Sequence, residues 1–169
     1  MTAAPRHDPS CDKARMSSSL ANLQATGEKR LYPADFAGID DLAEVCWVAV
    51  KDNLIQRGYG PREAKIHLAL HEALVNAWKH GNHKRLDLPI TFRWRFAKEV
   101  TFEVLDAGQG FACHTQTDPF TPDRLAAEDG RGLSIIMICA DSVSWKSNGC
   151  HITITFTPHE RTEKNSHRV

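Results

Sequence analysis

Two stretches near the middle of the chain alternate apolar and polar residues without a break. Ile90, Phe92, Trp94 and Phe96 interleave with Thr91, Arg93 and Arg95; after residues 97–99, Val100, Phe102 and Val104 interleave with Thr101 and Glu103. Successive side chains of a strand point to opposite faces, so this period builds a sheet with one face buried and one face wet. A sheet buried on both faces would be apolar throughout. The sheet expected here needs helices on one face only, which makes the fold a two-layer α/β sandwich.

The covering layer is written in helical spacing. Leu42, Val45, Cys46, Val50 and Leu54 form one stripe. They predict a helix over 39–57, capped by Asp40 or Asp41 and stopped by Gly58 and Gly60. Ile66, Ala69, Leu70, Ala73, Leu74 and Ala77 form a second stripe. This predicts a helix over 61–80, opened by Pro61 and ended by Gly81-Asn82. A short strand over 29–32, stopped by Pro33, comes first. A Thr-, Asp- and Pro-rich loop over 111–129 leads into an apolar helix over 132–140. The chain closes with a hairpin: Val143 and Trp145, a turn at Asn148-Gly149, then Cys150, Ile152, Ile154 and Phe156. Hairpin connections make the sheet mostly antiparallel.

A chain of 169 residues suits one domain. The folded part is expected over 28–158, between flexible tails at 1–27 and 159–169 that show no hydrophobic period. Lys and Arg total 21, as do Asp and Glu, and this balance argues against direct nucleic-acid binding. No apolar run approaches the ~20 residues of a membrane span. The five cysteines are odd in number and follow no apolar leader, so free thiols in a reducing cytoplasm are expected.

Three constellations carry chemistry. On the second helix, Glu72 and Asn76 stand one turn apart, His80 continues the row and Lys79 joins it. A carboxylate beside an amide oxygen suits a general base next to a Mg²⁺ ion, which favours hard oxygen ligands. A solvated helix face would show the same residues. Next, Asp106-Ala107-Gly108-Gln109-Gly110 follows a strand. An acid there accepts a hydrogen bond from an exocyclic amine such as that of adenine, and the glycines let backbone approach a ligand. A strand-terminating turn would look alike. Third, Gly130-Arg131-Gly132-Leu133 opens a helix, where free N–H groups and the helix dipole favour a phosphate. An ordinary loop-to-helix turn is the alternative. Two weaker signals point elsewhere. His67 and His71 stand at i, i+4 but lack an obvious third zinc ligand. Trp94 lies on the opposite face from Arg93 and Arg95, as core and solvent residues do.

The three constellations, in this order, resemble the ATP-binding fold shared by gyrase, the histidine kinases and MutL, the GHKL family. The stretch from His71 to Asn82 (HEALVNAWKHGN) looks like the N-box of the anti-sigma-factor serine kinases. Asp118-Pro119 through Leu133, then Asp141, resembles their short lid and second glycine box. The resemblance spans about 29–156. It implies a histidine-kinase-like ATPase fold and an ATP-dependent protein serine/threonine kinase that uses Mg²⁺. Its substrate would be a STAS-domain anti-anti-sigma partner. A sigma factor as second partner and a homodimer are further implications. On this reading Glu72 is the catalytic base and Asn76 the metal ligand. The nucleotide falls to Asn76, Lys79, His80, Asp106, Gly108, Gly110, Gly130, Arg131, Gly132 and Leu133, and the 111–129 loop would close over it. The alternative is a nucleotide-gated binding module with little kinase activity. One departure stands out: Gly149-Cys150 replaces an expected Gly-Thr near the adenine, and a thiol is the poorer hydrogen-bonding group.

Overall fold

Five strands form one sheet in the order β1-β2-β3-β5-β4, and every neighbouring pair is antiparallel. The structure, a computed structural model, describes residues 25–108 and 131–158. The expected terminal tails before residue 25 and after 158, the 111–129 loop, and Gly110 and Gly130 lie outside the described residues. The elements are β1 (Thr26–Leu31), α1 (Ile39–Gln56), α2 (Glu63–Asn76), β2 (Ile90–Phe96), β3 (Val100–Asp106), α3 (Arg131–Cys139), β4 (Ser142–Lys146) and β5 (His151–Phe156).

The alternation does what its period dictates. Phe92, Phe102, Ile154 and Phe156 are fully buried on the face that carries the helices. The rings of Phe92 and Phe102 lie 5.8 Å apart, and those of Phe102 and Phe156 6.2 Å, in tilted and edge-on arrangements. On the other face Glu28, Arg93 and Glu103 form a row of charge pairs across β1, β2 and β3. Leu42, Val50 and Leu54 of α1 and Ile66, Leu70 and Leu74 of α2 complete the core.

The seam between α1 and α2 uses both histidines of the i, i+4 pair. His71 Nε2 lies 2.9 Å from Asp40 Oδ1, and the His67 ring stacks on Trp47 at 4.5 Å. The residues that suggested a half-formed zinc site therefore join two helices. Among the described residues, no three His, Cys, Asp or Glu side chains cluster to hold a metal ion, and no helix is long and apolar enough to cross a membrane.

Several boundaries differ from expectation. The first strand begins at Thr26 rather than residue 29, because pairing with β2 continues to Thr26↔Arg95. The helix expected over 61–80 is three pieces: a 3-10 turn at Gly60–Arg62, α2 itself, and a π-helical turn at Ala77–Gly81. The hairpin turn is not the two residues Asn148-Gly149. Lys146 pairs with His151, so four residues make the loop, with Ser147 at φ 52° and Cys150 in a helical conformation. Cys150 is thus a turn residue, outside the strand alternation.

At the start of α2, Arg62 gathers distant backbone. Its guanidinium donates to Asp141 Oδ2 at 2.5 Å and Oδ1 at 2.7 Å, to the Thr157 carbonyl at 3.0 Å and to the Cys139 carbonyl at 3.3 Å. Asp141 also accepts from the Thr157 N–H and hydroxyl, both at 2.7 Å. This clamp ties the beginning of α2 to the end of α3 and the end of β5. Asp141, matched to the second glycine box by resemblance, has a structural task here.

Candidate active site

The C-terminal end of α2, the N-terminal end of α3 and the C-terminal end of β3 meet at one place. Glu72 and Asn76 stand on one row of α2. They face the first turn of α3 so closely that a Cβ on Gly132 would lie 2.9 Å from Glu72 Oε2 and 3.0 Å from Asn76 Oδ1. A carboxylate, an amide and a helix N-terminus therefore converge. The Asn76 Nδ2 atom is buried without a hydrogen-bond partner among the described residues. An unpaired buried polar group costs ~1–3 kcal/mol, and an acceptor atom on a ligand would satisfy this nitrogen.

Asp106 closes the other side. Its Oδ1 accepts the Gly108 N–H at 3.0 Å, and its own N–H donates to the Cys150 carbonyl at 3.0 Å. Burial pushes its carboxyl above the ordinary value, against hydrogen bonds from the Gly108 N–H and the Cys150 thiol and the charge of His83, which act to lower it. The Cys150 thiol is itself raised, first by burial and then by the Asp106 charge and hydrogen bond. It also reaches the Gly108 carbonyl at 3.5 Å. Gly81 and Gly108 have no room for side chains: a Cβ on Gly81 would overlap the Asp106 carboxyl, and one on Gly108 would overlap the Gly81 carbonyl. Both glycines serve a close approach between the end of the π-helical turn and the end of β3.

Between these groups lies a cavity of about 20 Å³, lined by Asn76, Asp106 and Leu133 among polar and site residues, and by Ala73, Val104 and Trp145 as apolar wall. That volume holds about one water molecule. A planar heterocycle would have to part the walls, of which Leu133 on α3 and Trp145 on β4 are only partly buried.

The expected site residues divide accordingly. Glu72, Asn76 and Gly132 come together, and Asn76, Asp106 and Leu133 share one cavity, with Gly108 against Asp106. Arg131 lies on α3, and its side chain is exposed. Lys79 and His80 lie on the π-helical turn. That wider turn ends the α-helical spacing at Asn76, so the row drawn through Glu72, Asn76 and His80 is continuous only for its first two members. The sequence reading gave no site role to Trp145, which appeared as a strand residue, or to Gly81 and Asn82, which appeared as a helix stop and as the end of the N-box stretch.

The donor set fits magnesium and a nucleotide. An amide oxygen beside a carboxylate offers hard ligands of the kind Mg²⁺ takes while keeping waters. A half-buried carboxylate at the edge of an apolar slot matches a base carrying an exocyclic amine.

Residues 40–156 match the family described as histidine kinase-like ATPase domain. The matched span runs from the start of α1 to the end of β5 and contains every site residue named above. A search of curated proteins finds no match.

Proposed function

The chain belongs to the histidine kinase-like ATPase domain family, and from that premise we propose that it is an ATP-dependent protein serine/threonine kinase. Its substrate on this reading is a STAS-domain anti-anti-sigma protein in the cytoplasm. It holds a sigma factor as a second partner and works as a homodimer. The resemblance of the N-box and second glycine box supports the partners. The observation that carries the chemistry is the convergence of Glu72 and Asn76 on Gly132.

Bound ATP supplies the phosphoryl group and Mg²⁺ offsets the charge of its phosphates. Asp106 would accept a hydrogen bond from the adenine amine, within walls formed by Ala73, Val104, Leu133 and Trp145. The N-terminus of α3, from Arg131 and Gly132, would hold phosphate oxygens through backbone N–H groups and the helix dipole. Lys79, on the π-helical turn that follows Asn76, would add positive charge, and His80 beside it a ring nitrogen for hydrogen bonding. Asn76 would hold the metal through its amide oxygen. Glu72, one turn before Asn76, would take the proton of the incoming serine or threonine hydroxyl. A positioned base of this kind contributes about 10²–10⁴-fold. A domain that only bound nucleotide would need no carboxylate there.

The test uses the full chain, Mg-ATP and each STAS-domain protein purified from the same cell, read by intact mass. The expected result is one added phosphate on a serine or threonine of one such protein. Tight ATP binding with no phosphorylation of any of them would replace the kinase with a nucleotide-gated binding module.

A further inference from the structure

Asn82 is 0% exposed, yet none of its side-chain bonds caps the helix it follows. The cap is made by its backbone N–H, which donates to the Ala77 carbonyl at 2.8 Å. The side chain is thus left for other work. Its Nδ2 donates to the Leu88 carbonyl at 3.1 Å and the Pro89 carbonyl at 3.2 Å. Its Oδ1 accepts the Ala107 N–H at 2.9 Å. The two N–H groups and the oxygen all have partners, which fixes the orientation of the amide.

These bonds join three pieces of backbone that meet at Asp106. Ala107 lies between Asp106 and Gly108, and Gly108 donates to the Asp106 carboxylate. Gly81, directly before Asn82, packs on the Asp106 side chain and on Gly108. The segment that Asn82 anchors is strained. His83 and Lys84 are consecutive non-glycine residues at φ 50° and 59°. Such residues are strained and persist only where their surroundings hold them. Here the Lys84 N–H donates to the Trp78 carbonyl at 2.8 Å and the Arg85 N–H to the Asn82 carbonyl at 3.0 Å.

We propose that Asn82 is a positioning residue for base recognition: through Ala107 and Gly81 it sets the Asp106 carboxylate at the edge of the base pocket, and so determines the preference for adenine. The proposal rests on the nucleotide reading above. Asn82 touches no ligand on this account and acts through Asp106.

The experiment titrates the full chain with ATP and with ITP, which carries a carbonyl in place of the exocyclic amine. Wild-type protein is expected to bind ATP about 10-fold or more tighter than ITP, the range of one hydrogen bond to a charged group. Asn82→Ala is expected to bring that ratio within about 3-fold of one while ITP affinity changes little, because only the contact to the amine is lost. Leu54→Ala, a truncation in the core of α1, lowers stability and should leave the ratio at its wild-type value. Should Asn82→Ala fail to fold, Asn82→Asp replaces it. That variant keeps the volume and the acceptor for Ala107, places an oxygen against the Leu88 and Pro89 carbonyls, and should lower the ratio about 3-fold or more. An unchanged ratio in a folded Asn82 variant, or an equal loss in Leu54→Ala, overturns the positioning role alone. Wild-type protein with no preference for ATP over ITP overturns the adenine reading and this proposal together.

Discussion

Asp106 and Asp141 stand at opposite ends of the α2–α3 layer, and their surroundings are opposite in kind. At the Asp141 end, the start of α2 meets the end of α3. Arg62 binds the carboxylate at two oxygens and Thr157 satisfies it further, so its carboxyl lies well below the usual carboxylate range. At the Asp106 end, the end of α2 meets the start of α3. There burial pushes a carboxyl up, an amide nitrogen lacks a partner among the described residues and the walls enclose a small cavity. One end is satisfied within the protein; at the other, the described residues satisfy Asp106 in part and leave the Asn76 amide nitrogen for a ligand. The difference separates a part of the fold that stabilises from a part that binds, although the same two helices build both.

Substitutions at the two ends should therefore fail in different assays. The largest effect is expected at Glu72. Glu72→Gln keeps the side-chain volume and loses the proton acceptor, so phosphoryl transfer should fall by ~10²-fold or more. ATP affinity from nucleotide titration should remain near wild type. Equal loss of both would make Glu72 part of the binding surface instead of the base.

At the clamp end the pattern reverses. Arg62→Ala removes four hydrogen bonds and leaves Asp141 without its cation. Denaturant unfolding should show a loss of about 2 kcal/mol. Nucleotide affinity of the folded fraction should hold. Loss of affinity without loss of stability would place Arg62 in the site.

The smallest effect is in acid. The folded-state pKa of Asp141 is depressed, so its contribution is present above the unfolded-state value of ~3.9 and lost as pH falls through and below it. Asp141→Asn should flatten the acid limb of the stability profile below about pH 5 and leave its slope near neutrality alone. Asp106 has the opposite sign. Its raised carboxyl favours the folded state while protonated, and that advantage is lost as pH rises through its folded-state value. An acid limb unchanged by Asp141→Asn would show that the clamp carries no proton linkage.

Local periodicity made the layer order legible. The buried faces of β2, β3 and β5 and the stripes of α1 and α2 are set by neighbours two to four residues apart, which a sequence displays directly. Glu72 with Asn76, and the glycine opening α3, were legible for the same reason. The clamp was not: Arg62 and Asp141 are 79 residues apart and no local pattern links them. The π-helical turn was also hidden, because an extra residue in one helical turn changes no composition. Asn148-Gly149 looks like a two-residue hairpin turn, but Ser147 takes the left-handed conformation as well and lengthens the loop. That shift turns Cys150 from a strand residue into a neighbour of Asp106. Asn82 follows a helix-ending glycine, a place where a polar residue normally signals only a turn.

The central claim is that Asp106 marks a nucleotide site held at some cost to the ligand-free fold. Thermal unfolding of wild type and Asp106→Asn, each with and without millimolar Mg-ATP, tests it most directly. The amide avoids the buried charge and still accepts the Gly108 N–H, so the variant without nucleotide should melt at or above the wild-type temperature. Mg-ATP should raise the wild-type melting temperature, since a ligand of the folded state stabilises it, and should leave the variant nearly unmoved. A wild-type melting curve that Mg-ATP does not shift, or a variant that shifts as far as wild type, would contradict the account.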